Sequence, residues 1–119
     1  MKAEERLTPR VVAEIRRAIE EAEGNEVFLV GTVGEDGRVD AVSVGARGNE
    51  EAVPVLAPHL TGGDVVIHNH PSGGTRPSSA DISVAARLGN EGVGFYIVDN
   101  TLASVYVVAE PVEPHRVTP

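Results

Sequence analysis

Asp64-Val65-Val66-Ile67-His68-Asn69-His70-Pro71-Ser72-Gly73-Gly74-Thr75-Arg76-Pro77-Ser78-Ser79-Ala80-Asp81 runs from a β-branched strand through a turn into the start of a helix. Val65, Val66 and Ile67 lie between a glycine pair and the Pro71-Ser72-Gly73-Gly74 turn, which predicts a strand over 64–69 with both histidines at its C-terminal end. Side chains two apart on a strand share a face, so His68 and His70 can hold one metal ion while Asn69 points the other way. A bare His-x-His pair is equally the chance outcome of two polar residues at a strand end. Asp81 follows His70 by eleven positions, across a turn that lets the chain reverse and bring the next helix back over the strand. Two imidazoles and a carboxylate make a three-ligand set that leaves tetrahedral zinc an open position, as in hydrolytic rather than structural sites.

The competing reading of the same residues is local. Ser78-Ser79-Ala80-Asp81 fits an [ST]-x-x-[DE] capping box, in which Ser78 caps the helix and Asp81 answers it. Beside the histidines the metal reading of Asp81 is preferred. Ser78 can cap the helix or donate its hydroxyl to a polarised carbonyl oxygen, and both roles stay open. Gly73 and Gly74 serve the turn, and without a following GK[ST] the segment is not a phosphate loop.

Composition narrows the chemistry further. The 119 residues suffice for one domain with a continuous core, 41% of them hydrophobic, and no apolar run is long enough to span a bilayer. Absence of cysteine excludes disulfides, thiolate metal sites and cysteine nucleophiles together. Eighteen acidic against ten basic side chains give a net charge of −8, with two Phe, two Tyr and no Trp, so direct nucleic-acid binding is not expected. The charged opening Met1-Lys2-Ala3-Glu4-Glu5-Arg6 carries no apolar signal region, so a cytoplasmic location is expected.

Around the central stretch, Thr8 and Pro9 begin an amphipathic helix with Val11, Val12, Ile15, Ala18, Ile19 and Ala22 on its apolar face and Gly24 beyond its end. Residues 26–33 and 38–44 read as a hairpin around Gly34-Glu35-Asp36-Gly37. Residues 50–60 have helical spacing interrupted by Pro54 and Pro58, which predicts a short or distorted helix. Residues 78–90 are expected to be helical with Ile82, Ala85, Ala86 and Leu88 toward the core, and 93–98 and 102–108 to form a last strand pair. A compact domain over 1–109 and a Pro-rich tail or truncated linker over 110–119 follow. The expected class is α/β, a mixed central sheet flanked by helices on both faces.

His68-Asn69-His70-Pro71, then Pro77-Ser78 and Asp81, resembles the JAMM motif of the JAB/MPN zinc metalloprotease family. The variant here is similar to a bacterial branch that includes RadC-type proteins and JAB domains joined to DinG-type helicases. The resemblance spans about 26–108 and implies a JAB/MPN-like, cytidine-deaminase-like α/β sandwich. It further implies Zn2+ held by His68, His70 and Asp81, Ser78 near the oxyanion, and Glu26 as general base at the start of the first strand. Glu26 also reads as a solvated glutamate, and Glu35 is the other candidate base; His59 and His115 read as surface residues. The implied activity is hydrolysis of a peptide or isopeptide bond in a protein or peptide substrate, ubiquitin-like tails and small conjugates included. The alternative is a RadC-like or helicase-appended module that acts in DNA metabolism mainly by binding partners. A zinc hydrolase acting on nucleobases is disfavoured, because no Pro-Cys-x-x-Cys is present. Asn69 is assigned no chemistry beyond orienting nearby backbone.

Overall fold

A computed structural model describes residues 1–47 and 60–112. After a 3₁₀ turn over Ala3–Glu5, its elements are α1 (Pro9–Glu21), β1 (Val27–Val33), β2 (Val39–Arg47), β3 (Asp64–Asn69), α2 (Ser79–Gly89), β4 (Gly94–Val98) and β5 (Val105–Ala109). The helix expected over 50–60 falls, apart from Leu60, outside the described residues, as do His59 and His115.

The strands form one sheet in the order β2-β1-β3-β4-β5, with β3 and β4 parallel and the other neighbours antiparallel. The sheet is therefore mixed, and strand alternation divides its side chains between two cores. Val27, Leu29, Val65, Ile67, Tyr96 and Val98 pack with Val11, Ile15, Ala18 and Ile19 of α1. Phe28, Val66 and Phe95 turn to the other face and pack with Val84, Ala85 and Leu88 of α2. The fold is the expected α/β arrangement.

α1 starts where the sequence places it: Thr8 Oγ1 accepts from the Val11 amide, and Pro9 occupies the first helical position. Its N-terminal approach also binds the sheet edges. Lys2 bridges to Ser104 beside β5, and Leu7 pairs with Val39 on the outer side of β2.

Two expectations need correction. In α2 the buried residues are Asp81, Val84, Ala85 and Leu88, while Ile82 is 52% exposed and Ala86 is exposed too. Turning Asp81 inward fixes the phase of the helix, and the neighbour about 100° further round must then face water. The last strand starts at Val105 rather than 102, because Leu102 has a positive φ of 59° and Asp99 accepts from the Thr101 and Ser104 amides. The chain also stays attached beyond 109. Glu110 pairs with Arg6 at 2.8 Å and accepts from the buried Tyr96 hydroxyl at 3.0 Å, and the Val112 amide donates to Gly92 O at 2.9 Å.

Gly92 carries that last contact at a φ of +78°, and a Cβ there would collide with the Val112 carbonyl oxygen. Gly92→Ala should thus add backbone strain to a steric clash and cost about 2–3 kcal/mol in a urea melt. A loss below about 1 kcal/mol would mean that residues 110–112 give way without penalty.

Candidate metal centre

β3, α2 and β1 meet at one end of the sheet. His68 lies near the end of β3 and His70 just past it, Asp81 lies in the first turn of α2, and Glu26 immediately precedes β1. The register pairs Phe28 with His68 across β1 and β3, which brings the two segments side by side.

His68 is fully buried. Its ring stacks on Phe28 with centroids 4.9 Å apart and planes within 5°, and Phe95 lies 4.8 Å away at a tilt. Its Nε2 is 3.2 Å from Asp81 Oδ1 and its Nδ1 3.8 Å from Glu26 Oε1. His70 is turned nearly perpendicular to His68, with its Nε2 2.9 Å from Asp81 Oδ2 and its Nδ1 3.1 Å from the Gly74 carbonyl oxygen.

Asp81 caps its helix with one carboxylate oxygen and leaves the other open, so capping does not preclude ligation. Oδ2 accepts from the Ser78 amide at 2.8 Å, and Ser78 Oγ accepts from the Asp81 amide at 3.1 Å, completing the capping box. Oδ1 is left without a hydrogen bond. Burial pushes the Asp81 carboxyl up, but the Ser78 amide, the charge of His68 and the bonds from Ser78 and His70 outweigh it and hold the group below the usual carboxylate range.

Among the described residues, the buried side-chain polar atoms without a hydrogen-bond partner are Glu26 Oε1, both ring nitrogens of His68 and Asp81 Oδ1. All four belong to this one place, and orphaned buried polar atoms are costly. The proton count sharpens the point. A carbonyl can only accept, so His70 Nδ1 carries the hydrogen facing Gly74, and in the neutral ring its Nε2 presents a lone pair to a carboxylate oxygen. A second proton on that ring lets it donate to Asp81, and a metal ion between the two lone pairs would serve the same end.

His68, His70 and Asp81 supply it with ligands: one donor atom of each lies within 4.8 Å of the others. Bonds of about 2.0–2.1 Å in a tetrahedron place ligand atoms roughly 3.3 Å apart, close to the His68–Asp81 and His70–Asp81 distances found. The residues present therefore fit a metal ion.

Glu26 is 8% exposed and faces this group, whereas Glu35 is exposed in the hairpin turn at the opposite end of β1. Ser78 is exposed beside Asp81, and because its oxygen accepts from the Asp81 amide its hydroxyl hydrogen is free to donate. Asn69 carries more than its sequence reading allowed. On the face away from the histidines, its Oδ1 accepts from the Val27 amide at 2.9 Å, and its Nδ2 donates to Asn25 O at 3.3 Å and Asn100 Oδ1 at 2.9 Å. The one sequence signal for this was an amide following the apolar run Val65-Val66-Ile67 on the face that the histidines do not use.

A family model described as a RadC-like JAB domain matches residues 7–104. The chain belongs to that family. The match takes in Glu26, both histidines, Ser78 and Asp81, and the five-stranded mixed sheet with its two helices is consistent with a JAB-like domain. None of the curated proteins searched matches the chain. No helix among the described residues is long and apolar enough to cross a membrane.

The depressed pKa of Asp81 makes its stabilising contribution present above the unfolded value near 4 and lost as pH falls through the folded value. In metal-free protein, the urea midpoint should fall as pH drops below about 4, and Asp81→Asn should flatten that fall. An equally steep fall in the variant would assign the acid sensitivity to other carboxylates.

Proposed function

We propose that this RadC-like JAB domain is a zinc-dependent hydrolase that cleaves a peptide or isopeptide bond. What carries the reading is the convergence of His68, Asp81 Oδ1 and Glu26 Oε1, all buried and unpartnered, around the His-His-Asp ligand set. Imidazole with a single carboxylate and no thiolate suits zinc, and three protein ligands leave one position open.

His68, His70 and Asp81 would hold the ion. Zinc at such a site acidifies water toward neutrality and polarises a carbonyl oxygen. Glu26, close by and shielded from solvent, takes the proton of the attacking water through its free Oε1 and passes it to the leaving amine. Ser78 donates its hydroxyl hydrogen to the carbonyl oxygen as charge grows there, while its own oxygen stays on the Asp81 amide. Phe28 and Phe95 keep water from the buried side of His68, which strengthens every charge interaction at the site.

Substrates of this proposal are proteins or peptides, with ubiquitin-like tails and small conjugates as the first to test in a cytoplasmic setting. The net charge of −8 speaks against nucleic acid as a direct ligand. The RadC-like character of the family match supports a second reading, a module that keeps the metal centre but acts in DNA metabolism by binding partners. The two differ in whether a metal-loaded domain turns over any scissile peptide.

Elemental analysis should find one zinc per chain in the parent and most of it lost in His70→Ala and Asp81→Ala; undiminished zinc in both variants rejects the site. Glu26→Gln should fold and load zinc yet lower turnover of a cleavable peptide or ubiquitin-like fusion by roughly 10² to 10⁴. Full rate in Glu26→Gln with loss in Glu35→Gln would reassign the base, and full rate in both would sink the mechanism.

A further inference from the structure

The backbone ladder between β1 and β3 runs from Thr32 opposite Asp64 to Phe28 opposite His68 and goes no further. Glu26 lies beyond its end. What ties this segment to β3 is a side chain: Asn69, fully buried between the two histidines, accepts from the Val27 amide and donates to the Asn25 carbonyl. Val27 and Asn25 are the residues on either side of Glu26. The amide thus continues the ladder by one rung where the backbones no longer pair.

Only an amide does this. Val27 is fully buried and offers a donor, Asn25 offers an acceptor, and one planar group must supply both complements. Asn100 sets which way the group faces: its Oδ1 accepts from Asn69 Nδ2, and its own Nδ2 donates to Pro71 O at 3.4 Å, directly after His70. The two asparagines link the start of β1 to the turn that follows the second histidine.

We propose that Asn69 is the positioning residue for Glu26: by clasping the peptide groups on both sides of that residue, it sets the carboxylate against the metal centre, with Asn100 orienting its amide. The inference rests on the zinc-hydrolase reading and adds to it a residue that touches neither metal nor substrate. A filler role for Asn69 would satisfy the same backbone groups, but the effect of its loss on metal binding would be the same whether or not Glu26 is present. A positioning role makes the two residues act as one unit.

The test is a double-mutant cycle read by zinc affinity, measured by chelator competition on the full chain. Glu26→Ala removes a carboxylate beside a ligand and should weaken zinc by about tenfold, the lower end of what supporting groups around metal ligands are worth. Asn69→Ala should weaken it comparably, and the double variant should lose about tenfold again in total rather than about a hundredfold. In metal-free protein the Val27 amide should exchange at least about tenfold faster in Asn69→Ala, reporting the clasp without any metal. Because burying an alanine there can prevent folding, the same cycle run with Asn100→Ala, at a half-exposed position, gives a second route to the result. Additive losses, or Asn69→Ala and Asn100→Ala variants that bind zinc as the parent does, overturn the inference and leave the hydrolase reading standing. A parent that takes up no zinc overturns the metal-centre reading, and this inference with it.

Discussion

The buried carboxylate of Asp81 is the constraint on which this end of the molecule depends. With no exposure, a carboxylate loses its hydration and must regain it from donors within the protein. One oxygen does so through the Ser78 amide and His70, while the other faces His68 without a bond. That asymmetry divides the labour. Oδ2 anchors the helix to the strand, and Oδ1 remains to answer a cation. The inward turn of Asp81 also sets the phase of α2, since Val84, Ala85 and Leu88 follow it onto the sheet at helical spacing.

Topology explains why such a residue sits there. β3, α2 and β4 form a parallel crossover, so the N-terminus of α2 comes back over the carboxyl end of β3. The free amides and positive pole of a helix start favour an anion in that first turn. The capping carboxylate and the strand-end histidines are thus neighbours as a consequence of the connection. β1, antiparallel to β3, begins at the same end and brings Glu26 from a part of the chain 42 residues before His68.

What the sequence made legible follows from the range of each interaction. The strand of β-branched residues, the capped first helix and the ligand trio all rest on short-range patterns, and the structure brings His68, His70 and Asp81 together as those patterns imply. Capping and ligation looked like rivals for Asp81, because a one-letter code does not show that a carboxylate has two oxygens with different partners. Ile82 was misplaced for a related reason: apolar spacing alone does not fix helical phase when a buried acid takes the leading position. Asn69 was beyond reach, since its partners are backbone groups 42 and 44 positions away and a side chain 31 away. Residues 110–112 touch the domain without forming a regular element. Prolines argue against a packed element, but Glu110 and Val112 are held by single contacts to Arg6, Tyr96 and Gly92 that need no regular structure.

The candidate ligands and Glu26 are held by different means, and the difference bears on how such a site would respond to an ion. His68 is wedged between phenyl rings and Asp81 is fixed by its own helix, so both keep their places without metal. Their unpartnered atoms are then a standing cost, which a divalent cation between them would relieve. Any ion that binds the folded chain and not the unfolded one stabilises it in proportion to the logarithm of its concentration over Kd. A rigid ligand set therefore makes metal binding largely a gain in stability with little rearrangement. Glu26, at a strand start fastened by one side-chain amide, is the member of the group whose place depends on a residue outside it.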